Sequence, residues 1–193
     1  MEQESKIQRL FQIAEPQAGY FTTSQAGDAG YSQPLVAYHA NAGAFQRVGH
    51  GIFRLSRFPS SQHEDLFMAW LRTGMTGVLS HDTALSLYVL TDWEPAAIHL
   101  IVPPTGSRRR ENLRLHFIEL EANDITHREG LPVTTVERTL RDVARSGLPD
   151  EFLVEAMRQA NRRGLVTLAT LSKIARRPYS RAGKAACAAL AKD

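Results

Sequence analysis

Three stretches of this 193-residue chain hold side chains of catalytic type: His63-Glu64-Asp65, Ser80-His81-Asp82, and the separated histidines His99 and His116. His63, Glu64 and Asp65 are ligand and acid/base types, but consecutive residues on a helix point about 100° apart and do not converge on one ion. A charge cluster at a helix start accounts for them better, since acidic groups suit the positive end of the helix dipole. Ser80, His81 and Asp82 are triad types, yet triads are assembled by the fold and not by adjacency. Ser80 reads instead as the cap of a helix carrying Thr83, Ala84 and Leu85. His99 and His116 fall on predicted strands and can share a sheet face. Two histidines without a cysteine or a third ligand at fixed spacing are weak metal evidence. Thr105-Gly106-Ser107 lacks the glycine spacing and Lys-Ser/Thr ending of a phosphate loop. It runs into Arg108-Arg109-Arg110, not into the paired carboxylates with which a nucleotidyltransferase holds its metal. Cys187, the single cysteine, lies among alanines with no activating partner in view. The expectation is no catalytic residue, no metal and no cofactor.

Side chains suited to binding are concentrated near the N-terminus. Gln33 and Asn41 can each pair bidentately with adenine, and Ser32 suits a phosphate or a base edge. Tyr38 and His39 stand on the same predicted helix, Gln33–Asn41. Thr23, Gln46, Arg47, His50 and Arg54 complete the candidate DNA-contacting set, with phosphates or the minor groove as targets on the wing. The elements that must carry them are legible. Thr22-Thr23-Ser24 offers caps for a helix running through Asp28, Gly30 breaks it, and Ser32 caps the next. The runs 44–48 and 51–55 surround Gly49-His50 as strand, turn and strand. Ahead of them Ile7, Leu10, Phe11 and Ala14 have helical spacing and should pack on the helix pair. Helix, turn, helix and wing together outline a winged helix-turn-helix, which points to DNA.

Composition and charge add to this. The apolar and charged shares, 43% and 22%, are those of a globular protein. The longest apolar runs, such as 98–102, are far too short to span a bilayer, and the polar start with Glu2 and Glu4 carries no secretory signal. A lone cysteine fits a reducing cytoplasm. Residues 1–57 carry a net charge of +1, residues 58–150 carry −4 and residues 151–193 carry +6. The basic surplus therefore lies in the tail, and the predicted recognition helix has no Lys or Arg. Because phosphate neutralisation supplies much of DNA affinity, Arg108, Arg109, Arg110, Arg162, Arg163, Arg176 and Arg177 are candidate phosphate or partner contacts. Beyond the turn at 57–61 the pattern alternates between strands (78–80, 97–102, 113–118, 125–127) and helices (63–72, 82–88). The last third is helical, with Thr134-Thr135-Val136-Glu137 as a capping box. Helical spacing there allows Glu137–Arg141 and Arg138–Asp142 pairs.

An ordered series of motifs is more specific. It comprises Gly51-Ile52-Phe53-Arg54-Leu55, His63-Glu64-Asp65-Leu66, Ser80-His81-Asp82-Thr83-Ala84-Leu85, Ile98-His99-Leu100-Ile101-Val102-Pro103, and the run from Gly130 to Asp142. The succession resembles the AbiEi family of type IV antitoxins from about residue 5 to residue 175. That resemblance implies a cytoplasmic bacterial protein whose winged head binds inverted repeats in the promoter of its own operon and represses it. It also implies a second domain that counters a nucleotidyltransferase toxin encoded alongside, without a stable complex with it.

The reading of the chain is thus an α+β protein: an N-terminal winged helix-turn-helix over 1–57, then a mixed α/β C-terminal domain over 58–193 ending in helices. Operator DNA is the expected partner and no membrane is involved. Two alternatives stay open at this stage. One is a nuclease or transferase using His63, Glu64 and Asp82, with the winged helix as targeting domain. The other is a module that binds a toxin directly.

Overall fold

The computed structural model describes residues 5–104 and 112–175. Thr105 to Arg110, Arg176, Arg177 and Cys187 lie outside them. The architecture is α+β. The chain forms two compact units, residues 1–75 with 129–131, and residues 76–128 with 132–193. The turn at 57–61, expected to mark a domain boundary, lies inside the first unit.

The first unit opens with α1 (Lys6–Ala14), started by a capping box in which the Gln8 amide donates to the Ser5 hydroxyl and the Ser5 amide to the Gln8 side chain. Leu10 and Ala14 are fully buried, whereas Ile7 and Phe11 remain 49% and 43% exposed, so only half of the predicted stripe packs inward. A second capping box, Thr22 with Gln25, starts α2 (Thr23–Asp28). Between them a three-residue strand, β1 (Tyr20–Thr22), was not expected, being too short to show alternation. Gly19 precedes it at φ +85°, and a Cβ there would stand 2.4 Å from Cγ of Phe58. Only glycine fits that bend.

Helix α3 (Gln33–Asn41) and the hairpin β2 (Phe45–Gly49) and β3 (Ile52–Leu55) follow as the residues foretold. The three strands pair antiparallel in the order β1-β3-β2. Helices α1 to α3 close over this sheet on an aromatic core, in which Phe21 meets Phe45 edge-on at 5.1 Å and Phe53 at 5.8 Å. Helix α4 (Glu64–Arg72) packs on β1 by stacking Phe67 on Tyr20 at 5.2 Å. His63, Glu64 and Asp65 begin this helix, and Glu64 accepts a 3.0 Å hydrogen bond from the Tyr20 hydroxyl.

The second unit is built on a five-stranded sheet of β4 (Val78–Leu79), β5 (Ile98–Ile101), β6 (Leu113–His116), β7 (Ile125–Arg128) and β8 (Leu131–Thr134). Their order is β6-β5-β4-β8-β7, with β5 antiparallel to β4 and parallel to β6, and β4 parallel to β8. Helix α5 (His81–Leu87) links β4 and β5, and α6 (Val136–Ser146), α7 (Asp150–Arg162) and α8 (Leu168–Ala175) follow the sheet among the described residues. Thr135 caps α6 by accepting from the Arg138 amide. Glu137 does not return to the cap as a capping box requires; it pairs with Arg141 at 3.4 Å. Arg138 is buried between Asp142, 2.8 Å away, and Asp124. Ser80 holds the N-cap position of α5, but its hydroxyl makes no cap bond. No helix among the described residues is long and apolar enough to cross a membrane.

Candidate nucleic-acid interface

The polar side chains of the head meet in one groove. It runs between α3 and the wing, has a volume of about 530 Å³, and is lined by Thr23, Gln33, Asn41, Arg47 and His50, with Val36, Ala37, Ala40, Gly51 and Phe53 as its apolar floor. No carboxylate among the described residues lines it. The helix supplies Gln33, Ala37 and Asn41 at four-residue spacing, which sets them on one face, while Val36 turns inward at 3% exposure. Thr23 fastens the other wall: its amide and its hydroxyl both donate to the carbonyl of Gly51, at 2.9 and 3.2 Å. A register shift between Arg47 and Gly49 breaks the β2–β3 ladder and twists the wing at that point. Arg47 is exposed and donates from Nε to the Gly49 carbonyl at 3.4 Å. His50 is exposed at the turn.

Ser32 and Tyr38 are exposed on α3 as well, Tyr38 at 65%. Ser32 stands at the N-cap without a side-chain capping bond, so its hydroxyl is not used by the helix. Two candidates are corrected. His39 turns away from the open face: its ring lies 5.1 Å from Phe45 and 5.5 Å from Tyr31, as packing for the aromatic core. Arg54 is 8% exposed; it lies over the Tyr20 ring and donates to the side chain of Gln46, its cross-strand neighbour. A guanidinium held there does not reach a phosphate, and Gln46 reaches solvent with its oxygen engaged.

One basic group was missed. Arg72, in the last turn of α4, brings its guanidinium to 3.7 Å from where a Cβ on Gly49 would stand. It is exposed and has no acidic partner among the described residues. Nothing in the sequence separated it from any other helix-ending arginine.

In the second unit, Arg162 is exposed at the end of α7. Arg163 is committed: its Nη1 donates to the carbonyls of Tyr88 and Val89, at 2.8 and 3.1 Å, closing the C-terminal end of α5. Arg163 is exposed, and only its Nη1 is engaged in this way. Arg108, Arg109, Arg110, Arg176 and Arg177 lie outside the described residues.

The unit also assembles three histidines. His81, His99 and His116 each offer a ring nitrogen, and these atoms all lie within 4.8 Å of one another. The third histidine was not anticipated as a partner of His99 and His116, because His81 was weighed as a triad type beside Ser80 and Asp82 and placed at a helix start. The rings of His81 and His116 stack at 3.7 Å and 12°. Burial is the main cause that lowers all three from the ordinary histidine range, His81 to about 3 and His116 to about 4. The charge of Arg114 pushes the same way, and Asp82 opposes it at His99 and His116. The imidazoles are therefore neutral at pH 7.

Residues 8–56 match the family model described as "Transcriptional regulator, AbiEi antitoxin". The match takes in α1 through the wing and ends before the motifs between His63 and Asp142. It supports the resemblance to AbiEi antitoxins over the head. The fold of the RV2827C protein from Mycobacterium tuberculosis is similar at a TM-score of 0.48 and 15% identity, over 95% of this chain and 80% of that one. No curated protein matches the chain.

Proposed function

We propose that this protein is a DNA-binding antitoxin that represses its own operon. Helix α3 enters the major groove of inverted repeats in the promoter, with Gln33 and Asn41 at base edges and Tyr38 beside them. Arg47 and His50 of the wing, with Ser32 and Thr23, lie toward the backbone. The observation that carries the reading is the groove between α3 and the wing, which gathers Thr23, Gln33, Asn41, Arg47 and His50 and has no carboxylate among its described lining residues. Phosphate is repelled by carboxylates and held by guanidinium and hydroxyl donors, so a groove of this lining suits a nucleic-acid backbone. The neutral α3 is compensated from the sides, by Arg47 on the wing and by Arg72 on α4.

On this reading residues 1–57 read DNA, and residues 58–193 counter a cytoplasmic nucleotidyltransferase toxin without forming a stable complex with it. No catalytic turnover belongs to the function. Glu64 accepts a hydrogen bond from the Tyr20 hydroxyl, and Asp82 Oδ2 accepts one from the Trp93 indole at 3.2 Å. Gel-shift titration on the DNA upstream of the protein's own gene tests the proposal. Sequence-specific binding that weakens as salt rises is expected. Equal affinity for unrelated DNA would overturn it.

A further inference from the structure

The histidine cluster lies outside the DNA-binding reading and has a construction of its own. His99 and His116 stand on adjacent parallel strands: His99 pairs with Arg114, and His116 pairs with Ile101. A two-residue step along each strand keeps both histidines on one face of the sheet. His81 reaches that face from the first position of α5, at φ +50°, a left-handed backbone that is rare outside glycine. Two bonds hold the start of α5 against β5: the Ser80 amide donates to the His99 carbonyl at 3.1 Å, and the His99 amide donates to the Thr83 hydroxyl at 2.9 Å. Strained backbone that persists under such restraint is characteristic of sites where side-chain direction matters.

Two of the ring nitrogens are buried without partners. His99 is 4% exposed and its Nδ1 is buried without a hydrogen bond, as is Nε2 of His116. His81 Nδ1 lies 3.0 Å from the Ser80 hydroxyl. A buried ring nitrogen with no partner costs free energy, and two facing each other cost more. Two or three imidazoles around one small space are satisfied together by a single cation.

We propose that His81, His99 and His116 bind one divalent transition-metal ion, with zinc the fitting member, through His81 Nε2, His99 Nδ1 and His116 Nε2. Ser80 then orients the His81 ring from its other nitrogen, the arrangement that metal-ligating histidines commonly show. Zinc–imidazole bonds of about 2.0–2.1 Å set tetrahedral nitrogens about 3.3 Å apart, so from separations within 4.8 Å the rings need to close by at most about 1.5 Å through side-chain rotation. The fourth position is open to solvent-derived oxygen. The buried Oδ1 of Asp82, also without a partner, gives the neighbourhood a negative charge that offsets Arg114. An all-imidazole set excludes hard cations such as magnesium and calcium, which take oxygen ligands. The ion would join α5, β5 and β6 at one point.

The test uses the full chain stripped with chelator and titrated with Co²⁺ and Zn²⁺. One equivalent of Co²⁺ should give the visible absorption of a tetrahedral site without thiolate charge transfer, and Zn²⁺ should displace it. One equivalent of Zn²⁺ should raise the unfolding temperature. His116→Gln, on a half-buried strand end, should weaken binding at least tenfold while the circular-dichroism spectrum is kept. His127→Gln and Cys187→Ser should bind as the parent does. Absence of a stoichiometric tetrahedral spectrum in the parent chain overturns the proposal without reference to any variant. Thiolate charge transfer, or equal binding by His116→Gln and the parent, overturns it too.

Discussion

The two units keep their polar chemistry in opposite places. The head buries an aromatic core of Phe21, Phe45 and Phe53 and puts Gln33, Asn41, Arg47 and His50 on an open groove. The second unit buries much of its polar chemistry: Arg138 between Asp124 and Asp142, Thr134 against Thr139, and His81 and His99 beside the half-buried His116. Polar residues of the first kind contribute little to stability and are free to read a ligand. Those of the second kind are costly to disturb, because each buried partner depends on the other.

Substitutions should separate the two regimes. The largest effect is expected from Arg138→Ala, which leaves two carboxylates without their cation and should cost about 3–5 kcal/mol of unfolding free energy in denaturant titration. A loss under 1 kcal/mol would show that the network is solvated and would remove the contrast. Gly19→Ala should cost about 1–2 kcal/mol from its left-handed backbone alone, plus the clash with Phe58. Phe58→Ala in the same chain should return the clash portion, read by a double-mutant cycle. The groove should behave differently. Gln33→Ala with Asn41→Ala should leave stability within about 0.5 kcal/mol and reduce discrimination between operator and mutated operator by about 1–3 kcal/mol per base contact. Arg47→Ala should weaken all DNA sequences alike and lower the salt slope by about one. Arg54→Lys, buried away from the groove, should leave that slope unchanged.

The smallest effect concerns pH. Burial raises the Tyr20, Tyr31 and Tyr88 hydroxyls above 10, with Glu64 adding to the rise at Tyr20. The unfolded chain therefore loses these protons first, and the stability present below pH 10 is lost as pH climbs through the folded values. Each tyrosine adds up to about 1.4 kcal/mol per pH unit to that alkaline slope. Tyr31→Phe should flatten it by one such share, and an unchanged slope would place Tyr31 in contact with solvent.

Much of the head was legible because its signals are local. The Thr22 cap, the break at Gly30, the α3 span Gln33–Asn41 and the hairpin around Gly49-His50 are encoded within a few residues of where they act. The helices of the second unit and its strands other than β8 (Leu131–Thr134) were readable on the same ground, as were the Arg138–Asp142 and Glu137–Arg141 pairs at helical spacing. Strand β1 was not, since three residues hold no period. Nor was the outward turn of Ile7 and Phe11, which depends on what packs beside α1.

By itself, then, the sequence determined the order and kind of the elements and which helix face carries Gln33 and Asn41. Capping, periodicity and turn chemistry act over one or two turns of chain. Only the tertiary structure decided that Arg54 and His39 are packing groups, that Arg163 closes the end of α5, and that Arg72 stands by the wing. It alone gathered His81, His99 and His116. These placements join residues far apart in the chain, through strand register and burial, and no local pattern records which distant side chain arrives. A histidine beside a serine looks the same in sequence whether it starts a helix or completes a cluster.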